Sequence, residues 1–224
     1  MPEYSQAVAV VAISHLSLSF FNIDTTSVTL AFALYLLAQN QDAQQLCAEE
    51  VKSVKTSENI EELVYCKAVI LESLRLYPAA VMSTRTLSKK IQLQGDFIAP
   101  AGTRVIIPIW NIHHNENSFD RPQEFRPDRW VKQDTDKTCW IERDETDQSS
   151  DIAAGDKKAM LAFSAGGRNC VGQKFAVQEA VIVLAELLRG LKFSPKAGYE
   201  LETTIKDLIL KPRNGLPLIV EARS

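Results

Sequence analysis

The chain has 224 residues, of which 46% are hydrophobic and 24% charged, and its formal net charge is −3. This length and composition are those of a globular protein with one sizeable core, and the slightly negative charge argues against a nucleic-acid binder, which usually carries a basic surface. The four cysteines, Cys47, Cys66, Cys139 and Cys170, form no C-x-x-C pair and no zinc spacing. Their distribution suits a reducing compartment in which one thiolate has a function.

The first predicted element is a long apolar helix. Residues 7–21 are apolar, but no basic segment precedes them and no small-residue cleavage site follows them, so they do not indicate a signal peptide. His15, Asn22 and Asp24 interrupt the run and leave fewer than the ~20 clean apolar residues of a membrane span. Because residues 5–38 lack Pro and Gly, the sequence predicts one buried helix there, about 50 Å long at 1.5 Å per residue.

Two further helices are predicted before the middle of the chain. Residues 39–57 begin with a polar break and continue as an amphipathic helix. Ser57 has the position of an N-cap, with acidic residues in the turn after it, and predicts that the next helix runs from there to Leu76. Glu72 and Arg75 lie three residues apart in this helix, on one face, where they can form an ion pair.

Short strands are predicted next. Residues 91–96 have the pattern of a strand that runs into a turn, and residues 105–109 have the pattern of another strand after a turn containing Pro and Gly. His113 and His114 follow, but they are neither spaced nor partnered as metal ligands. We therefore expect these two histidines to serve packing or hydrogen bonding.

The last third of the chain contains one polar stretch and one predicted hairpin. Residues 133–158 are rich in Asp, Ser, Thr and Lys, which predicts an extended surface loop held at one point by Trp140. Residues 199–222 have the pattern of a terminal hairpin. Asn214-Gly215 is the residue pair that favours a two-residue hairpin turn, and we place the turn there.

Between these two segments lies a cysteine in a glycine-punctuated loop. Residues 163–172 read FSAGGRNCVG, and residues 173–189 have helical apolar spacing. Gly166 and Gly172 give the backbone the freedom to wrap closely around Cys170. The positive end of the following helix favours a thiolate over a thiol, and such a thiolate is a nucleophile or a metal ligand. The alternative is a buried free cysteine in a tight turn.

The spacing F-x-x-G-x-R-x-C-x-G resembles the haem-binding loop of cytochromes P450 at every fixed position, including both glycines, Gly166 and Gly172. In that family a cysteine thiolate holds the haem iron. The resemblance implies that Cys170 is the axial ligand of a haem b iron and that Phe163 packs beside the sulfur. It also implies that Arg168 binds a haem propionate through a charge-assisted hydrogen bond.

Two further signatures of the family occur in the expected order. The pair Glu72-x-x-Arg75 is followed by residues 125–130, FRPDRW, which are similar to the F-x-P-[E/D]-R-[F/W] signature. The resemblance implies a buried ion network of Glu72, Arg75 and Arg129 with a structural role, because buried ion pairs fix geometry more than they add stability. It also implies that Arg85, ten residues after Arg75, binds a propionate.

In the first helix, Asp24 and Thr25 resemble the acid–alcohol pair with which the family delivers protons during oxygen activation. The family usually has two small residues before this pair, whereas this chain has Phe21 and Asn22. That departure puts ordinary oxygen activation in doubt, and the asparagine is similar to one in allene oxide synthases, which rearrange fatty-acid hydroperoxides. The alternative for Asp24, Thr25 and Thr26 is a helix N-cap cluster.

Together these features predict a mainly α fold with a small β component, corresponding to the C-terminal portion of the cytochrome P450 fold. We expect residues 1–224 to form one partial domain that contains a long distal helix, the E-x-x-R helix, the meander, the cysteine loop with its proximal helix and a terminal hairpin. Complete members of the family are about twice as long, and the chain is expected to be a fragment, a truncated gene model or a degenerate copy.

The function implied by the resemblance is that of a haem-thiolate monooxygenase, which inserts one oxygen atom from O2 into a small lipophilic substrate. Electrons are expected from a separate donor, either NADPH-cytochrome P450 reductase or a ferredoxin-type protein. The expected location is the endoplasmic reticulum membrane, with a plastid as a second possibility, through an anchor missing from this chain. Two alternatives remain: a relative that isomerises or dehydrates hydroperoxides, and an inactive haem-binding fragment.

Overall fold

The computed structural model describes residues 23–54, 59–93, 95–133, 140–142 and 159–223. This part of the chain contains five α-helices: α1 (Ile23–Gln39), α2 (Gln41–Ser53), α3 (Val64–Leu76), α4 (Ile109–His113) and α5 (Gln173–Gly190). The described residues also include 3-10 turns at Ile60–Glu62, Pro127–Arg129 and Gly166–Arg168. None of the helices in these ranges is long and apolar enough to cross a membrane.

The strands form five antiparallel pairs within the described ranges. The strands are β1 (Ser83–Thr86), β2 (Ile91–Gln92), β3 (Ile98–Ala99), β4 (Arg104–Ile107), β5 (Val131–Gln133), β6 (Trp140–Glu142), β7 (Leu191–Pro195), β8 (Thr203–Lys206), β9 (Ile209–Pro212) and β10 (Leu218–Ala222). β1 pairs with β4, β2 with β3, β5 with β6, β8 with β9 and β7 with β10. Each of these sheets has only two short strands, which agrees with the predicted mainly α fold with a small β component.

The core lies where α1, α2, α3 and α5 pack together. Leu37, Ile70, Leu184 and Leu188 are fully buried in one continuous cluster. Each such side chain contributes roughly 1.5–3 kcal/mol on burial. A second, smaller cluster around Phe32 joins the outer face of α1 to β9, so α1 is held on two sides.

The predicted start of α3 is wrong. The helix begins at Val64 and not at Ser57, which lies outside the described residues. The cap comes from α2, because the Glu50 carboxylate accepts hydrogen bonds from the backbone N–H groups of Tyr65 (2.7 Å) and Cys66 (2.8 Å). A carboxylate near a helix N-terminus accepts hydrogen bonds from N–H groups that have no partner within the helix. Its negative charge is also attracted by the positive end of the helix dipole.

The predicted hairpin turn is also wrong. β8 and β9 are joined by Asp207 and Leu208, which both have positive φ (53° and 66°), as a two-residue type I′ turn requires. Gly215 has positive φ as well (75°), but it lies in the connection to β10. That strand pairs with β7, which follows α5, and not with β9.

Other predictions are confirmed within the described ranges. α5 occupies Gln173–Gly190, one residue beyond the predicted end. The polar stretch is held at Trp140 and Ile141, as expected, but by a strand pair of three residue pairs, from Val131 with Glu142 to Gln133 with Trp140. Residues 134–139 and 143–158 lie outside the description. Of the long first helix, Ile23–Gln39 is described, and residues 1–22 are not.

Candidate functional site

The cysteine loop is closed by its own backbone hydrogen bonds. The N–H of Cys170 donates to the carbonyl of Phe163 (2.9 Å), and the N–H of Ser164 donates to that of Leu161 (2.8 Å). Gly166 has a φ of +77°, a conformation in which a Cβ is strained. Gly172 has a φ of −85°, which any residue can adopt. The backbone freedom of glycine that we expected to be needed there is therefore not required by this φ angle.

Cys170 lies just before the N-terminus of α5. Its carbonyl accepts a hydrogen bond from the N–H of Gln173 (3.4 Å), the first residue of the helix. The thiol is free and exposed. The thiol therefore lies close to the N-terminal end of a helix of 18 residues.

A cavity of about 310 Å³ opens beside this loop. Its walls come from several parts of the chain. They include α1 (Thr25, Thr26, Thr29), α3 (Ile70, Leu74), the segment that leads into β1 (Ala79, Ala80, Met82, Ser83), Ile109 of α4, the loop itself (Phe163, Ser164, Arg168, Cys170) and the first turns of α5 (Ala176, Val177, Ala180). The volume lies at the lower end of the range for small-molecule and cofactor sites. Cys170 and the threonines of α1 thus line one space, although about 150 residues separate them.

The donor set of the cavity fits a cofactor that brings most of its own metal ligands. No group of three or more His, Cys, Asp or Glu side chains that could hold a metal ion occurs in the described ranges, so a bare ion would have Cys170 as its main ligand here. Ala176 and Ala180, which have small apolar side chains, line the same cavity as Cys170. Haem fits these features, because its porphyrin supplies the remaining ligands and needs an apolar slot.

Two arginines lie at one edge of the same site. Arg168 lines the cavity. Arg85 on β1 is half-buried and donates through Nη2 to the Ser164 hydroxyl (2.7 Å) and through Nη1 to the Ser83 hydroxyl (2.8 Å). Nη2 also lies 3.5 Å from the carbonyl oxygen of Arg168. The structure therefore brings both predicted propionate ligands to the cysteine loop.

Asp24 and Thr25, the predicted acid–alcohol pair, lie in different environments. Thr25 lines the cavity. Asp24 does not; its side chain is 68% exposed and lies 3.1 Å from the Lys211 ammonium group of β9. Phe21 and Asn22, on which the hydroperoxide alternative depends, lie outside the described residues.

Sequence reasoning missed two hydroxyl groups on α1. Thr26 and Thr29 also line the cavity, and the Thr29 hydroxyl donates to the carbonyl of Thr25 (2.8 Å). The hydroxyl oxygen of Thr26 is buried without a hydrogen-bond partner in the structure as described. The spacing of four residues between Thr25 and Thr29 places them on one helix face, and this signal was available in the sequence.

The three residues of the predicted ion network do meet. The Glu72 carboxylate accepts hydrogen bonds from Nε (2.9 Å) and Nη2 (2.8 Å) of Arg75 and from Nε of Arg129 (3.0 Å). It also accepts from the indole of Trp130 (2.9 Å) and the backbone N–H of Arg126 (3.0 Å). The side chains of Glu72, Arg75 and Arg129 have no exposed surface.

Arg75 extends the network to the backbone of the meander. Its Nη1 donates to the carbonyls of His113 (2.9 Å) and Pro122 (2.7 Å), and its Nη2 also donates to that of Glu124 (3.0 Å). The guanidinium carbon lies 5.2 Å from the ring centroid of Phe119. With the two bonds to Glu72, every N–H of this guanidinium has an acceptor, so α3 and the chain from α4 to β5 are held in one arrangement.

His113 also contacts the ion network, which the sequence analysis did not predict. Its ring is fully buried, its Nδ1 lies 3.0 Å from the carbonyl oxygen of Arg75, and its Nε2 accepts from the N–H of Leu161 (2.9 Å). Burial lowers the pKa of His113 from 6.5 to about 4, since the charged imidazolium loses its hydration. The expectation of a hydrogen-bonding role is confirmed.

Comparison with known proteins gives one consistent result. A family model described as Cytochrome P450 matches residues 10–219. Cytochrome P450 4c3 of Drosophila melanogaster is 31% identical over 208 residues, cytochrome P450 4X1 of Homo sapiens 32% over 201 residues, and cytochrome P450 3A12 of Canis lupus familiaris 29% over 211 residues. These matches cover 89%, 87% and 91% of this chain, but 36%, 36% and 38% of the three relatives.

Replacing the shared carboxylate tests the network. We expect Glu72→Gln to lower the free energy of unfolding by about 3–5 kcal/mol, because two buried guanidinium groups lose their counter-ion. Glu62→Gln, at an exposed position, is the matched control and should change stability by about 0.5 kcal/mol or less. Urea unfolding followed by tryptophan fluorescence measures both. Equal effects of the two substitutions would contradict the network.

The depressed pKa of His113 predicts acid sensitivity. Between pH 6.5 and about 4 the unfolded chain binds a proton at this residue and the folded chain does not, so stability is fully present above pH 6.5 and falls as the pH drops through this window. The loss is at most about 3.4 kcal/mol, which is 1.36 kcal/mol for each of the roughly 2.5 units between the two pKa values. Arg75 and Glu72 of α3 and His114, which directly follows α4, are the charged or titratable neighbours. Urea unfolding at several pH values should show a shallower decline for His113→Asn; an identical decline would contradict this assignment.

Proposed function

The chain belongs to the cytochrome P450 family, and from this premise we propose that it contributes the iron-binding part of a haem-thiolate monooxygenase. The observation that carries the proposal is the cavity that Cys170 shares with α1 and α5. Among the cysteines in the described ranges, Cys170 is the exposed one; its place before a helix N-terminus and in a largely apolar cavity matches the family's way of holding haem. The chain spans little more than a third of the length of the relatives that it matches, and the activity of a whole enzyme is part of the proposal.

Each predicted site residue has a role in this proposal. Cys170 would hold the iron of haem b through its sulfur, and Phe163, which lines the same cavity, would pack beside it. Arg168 and Arg85 bind the propionates, for which the guanidinium fork is well suited. Gly166 adopts the positive φ that the loop needs, whereas Gly172 caps α5.

The proposal for Asp24 and Thr25 follows from their two environments. Haem supplies the capacity to activate O2 for insertion of one oxygen atom into an organic substrate. Asp24 is exposed to solvent and Thr25 lines the cavity, so Asp24 would serve the solvent end and the Thr25 hydroxyl the cavity end of proton delivery. Lys211, 3.1 Å from Asp24, holds this carboxylate at the helix surface.

The proposed partners follow from the lining of the cavity and from the motifs of the sequence. Ile70, Leu74 and Val177 form an apolar wall, which favours a small lipophilic substrate. The sequence contains no flavin or nicotinamide motif, and a separate reductase or ferredoxin-type protein is the proposed electron donor. Attachment to the endoplasmic reticulum, or to a plastid membrane, remains part of the proposal and has its support in the family resemblance alone.

The thiolate assignment is testable by spectroscopy. The chain is expressed with haem supply, reduced with dithionite and exposed to carbon monoxide. We expect the red-shifted difference band that is typical of thiolate ligation, and we expect Cys170→Ala to abolish it. Cys47→Ala is the matched control, because Cys47 is a buried thiol in the packing between α2 and α3. A parent spectrum without this band, or one that survives Cys170→Ala, would contradict the assignment.

The role of Arg85 is testable with two forms of the cofactor. Absorbance titration of the apo chain gives the dissociation constants of haem and of haem dimethyl ester, which lacks the carboxylates. Arg85→Ala should weaken haem binding about tenfold, the effect of one charged hydrogen bond, and should leave ester binding nearly unchanged. Arg104→Ala is the control on the paired strand, where the side chain is exposed. A loss of the same size for haem and ester would refute propionate binding.

A further inference from the structure

We propose that His113 is a positioning residue that fixes the cysteine loop relative to the ion network around Glu72. The imidazole lies between the end of α3 and the segment that leads into the loop. Its two ring nitrogens contact one backbone group on each side, Arg75 and Leu161. These two groups are 86 positions apart in sequence and are not otherwise joined by a hydrogen bond that the structure describes.

The two partners determine the tautomer of the ring. A carbonyl oxygen can only accept, so Nδ1, 3.0 Å from the oxygen of Arg75, must carry the hydrogen. A backbone N–H can only donate, so Nε2, 2.9 Å from the nitrogen of Leu161, must be unprotonated. One neutral tautomer satisfies both contacts. The low pKa of His113, which burial causes, keeps the ring neutral at neutral pH.

Further contacts with Arg75 and Phe119 fix the position of the His113 ring. The backbone carbonyl of His113 accepts a hydrogen bond from Nη1 of Arg75 (2.9 Å), so these two residues are linked in both directions. The ring also contacts Phe119 edge to face, with the centroids 6.1 Å apart. Because Arg75 is bound to Glu72, the position of the imidazole is set by the ion network.

From Leu161 the contacts continue into the cysteine loop. The carbonyl of Leu161 accepts from the N–H of Ser164 (2.8 Å), and the Ser164 hydroxyl accepts from Arg85 (2.7 Å). The carbonyl of Phe163, between them in sequence, accepts from the N–H of Cys170 (2.9 Å). A shift of Leu161 would therefore move the turn that carries both Cys170 and the Arg85 contact.

The alternative, that His113 only fills space, predicts different behaviour on substitution. An apolar side chain of similar size would preserve packing but leave the partly buried Leu161 N–H and the buried Arg75 carbonyl without a partner. The two bonds can be removed separately. The amide of Gln reaches about as far from the backbone as Nε2 does, whereas that of Asn reaches only as far as Nδ1.

Backbone amide exchange of the apo chain tests the positioning directly. In His113→Leu we expect the amides of Leu161 and Ser164 to exchange about tenfold faster, the effect of losing one buried hydrogen bond. His114→Leu is the matched control, because His114 stacks on Trp110 within the same helix region and should leave both amides unchanged. His113→Gln should keep the protection of Leu161, and His113→Asn should lose it.

Two outcomes would overturn the inference: equal protection of Leu161 in the Gln and Asn variants, or equal effects of His113→Leu and His114→Leu. If His113→Leu fails to fold, the comparison of His113→Gln with His113→Asn decides.

That the positioning serves iron ligation rests on the proposed function, and the carbon monoxide difference band of the haem-loaded variants tests it separately. The parent and His113→Gln should keep the thiolate-type band, and His113→Asn should lose part of it. If the amide exchange rates change as expected but the parent chain shows no thiolate-type band, the proposed function would be refuted, whereas the positioning role of His113 would stand.

Discussion

The buried carboxylate of Glu72 is the constraint on which the rest of this structure depends. It has no exposed surface, and it accepts hydrogen bonds from two arginines, an indole and a backbone amide. A carboxylate out of contact with water is tolerated only when it is paired and hydrogen-bonded throughout. Those bonds therefore determine how α3 and the segment at residues 126–130 can approach each other.

This constraint reaches the candidate site by two routes. α3 packs against α1 and α5, which both line the cavity. Arg75 also fixes the segment that contains His113, whose ring contacts the start of the cysteine loop. The loop is thus supported from both sides, by helix packing and by hydrogen bonds. An iron ligand needs such support, because a ligand loop without a fixed backbone cannot hold one coordination geometry.

The features predicted from sequence are those that local spacing determines. α5, the E-x-x-R pair and the loop at Cys170 follow from fixed intervals along the chain. The start of α3 could not be predicted, because its cap is Glu50 of another helix. The terminal hairpin was misplaced because Asp207 and Leu208 form its turn, although Asn-Gly is the stronger local signal. His113 was not assigned to the site, since both of its partners are backbone groups distant in sequence.

The central claim is that the thiolate of Cys170 binds the iron of a haem in this cavity. Iron K-edge X-ray absorption of the haem-loaded chain tests it most directly, because the first coordination shell distinguishes sulfur from nitrogen and oxygen. The account predicts one sulfur neighbour in addition to the porphyrin nitrogens, and its loss in Cys170→Ala. An iron surrounded only by nitrogen and oxygen in the parent chain would contradict the account.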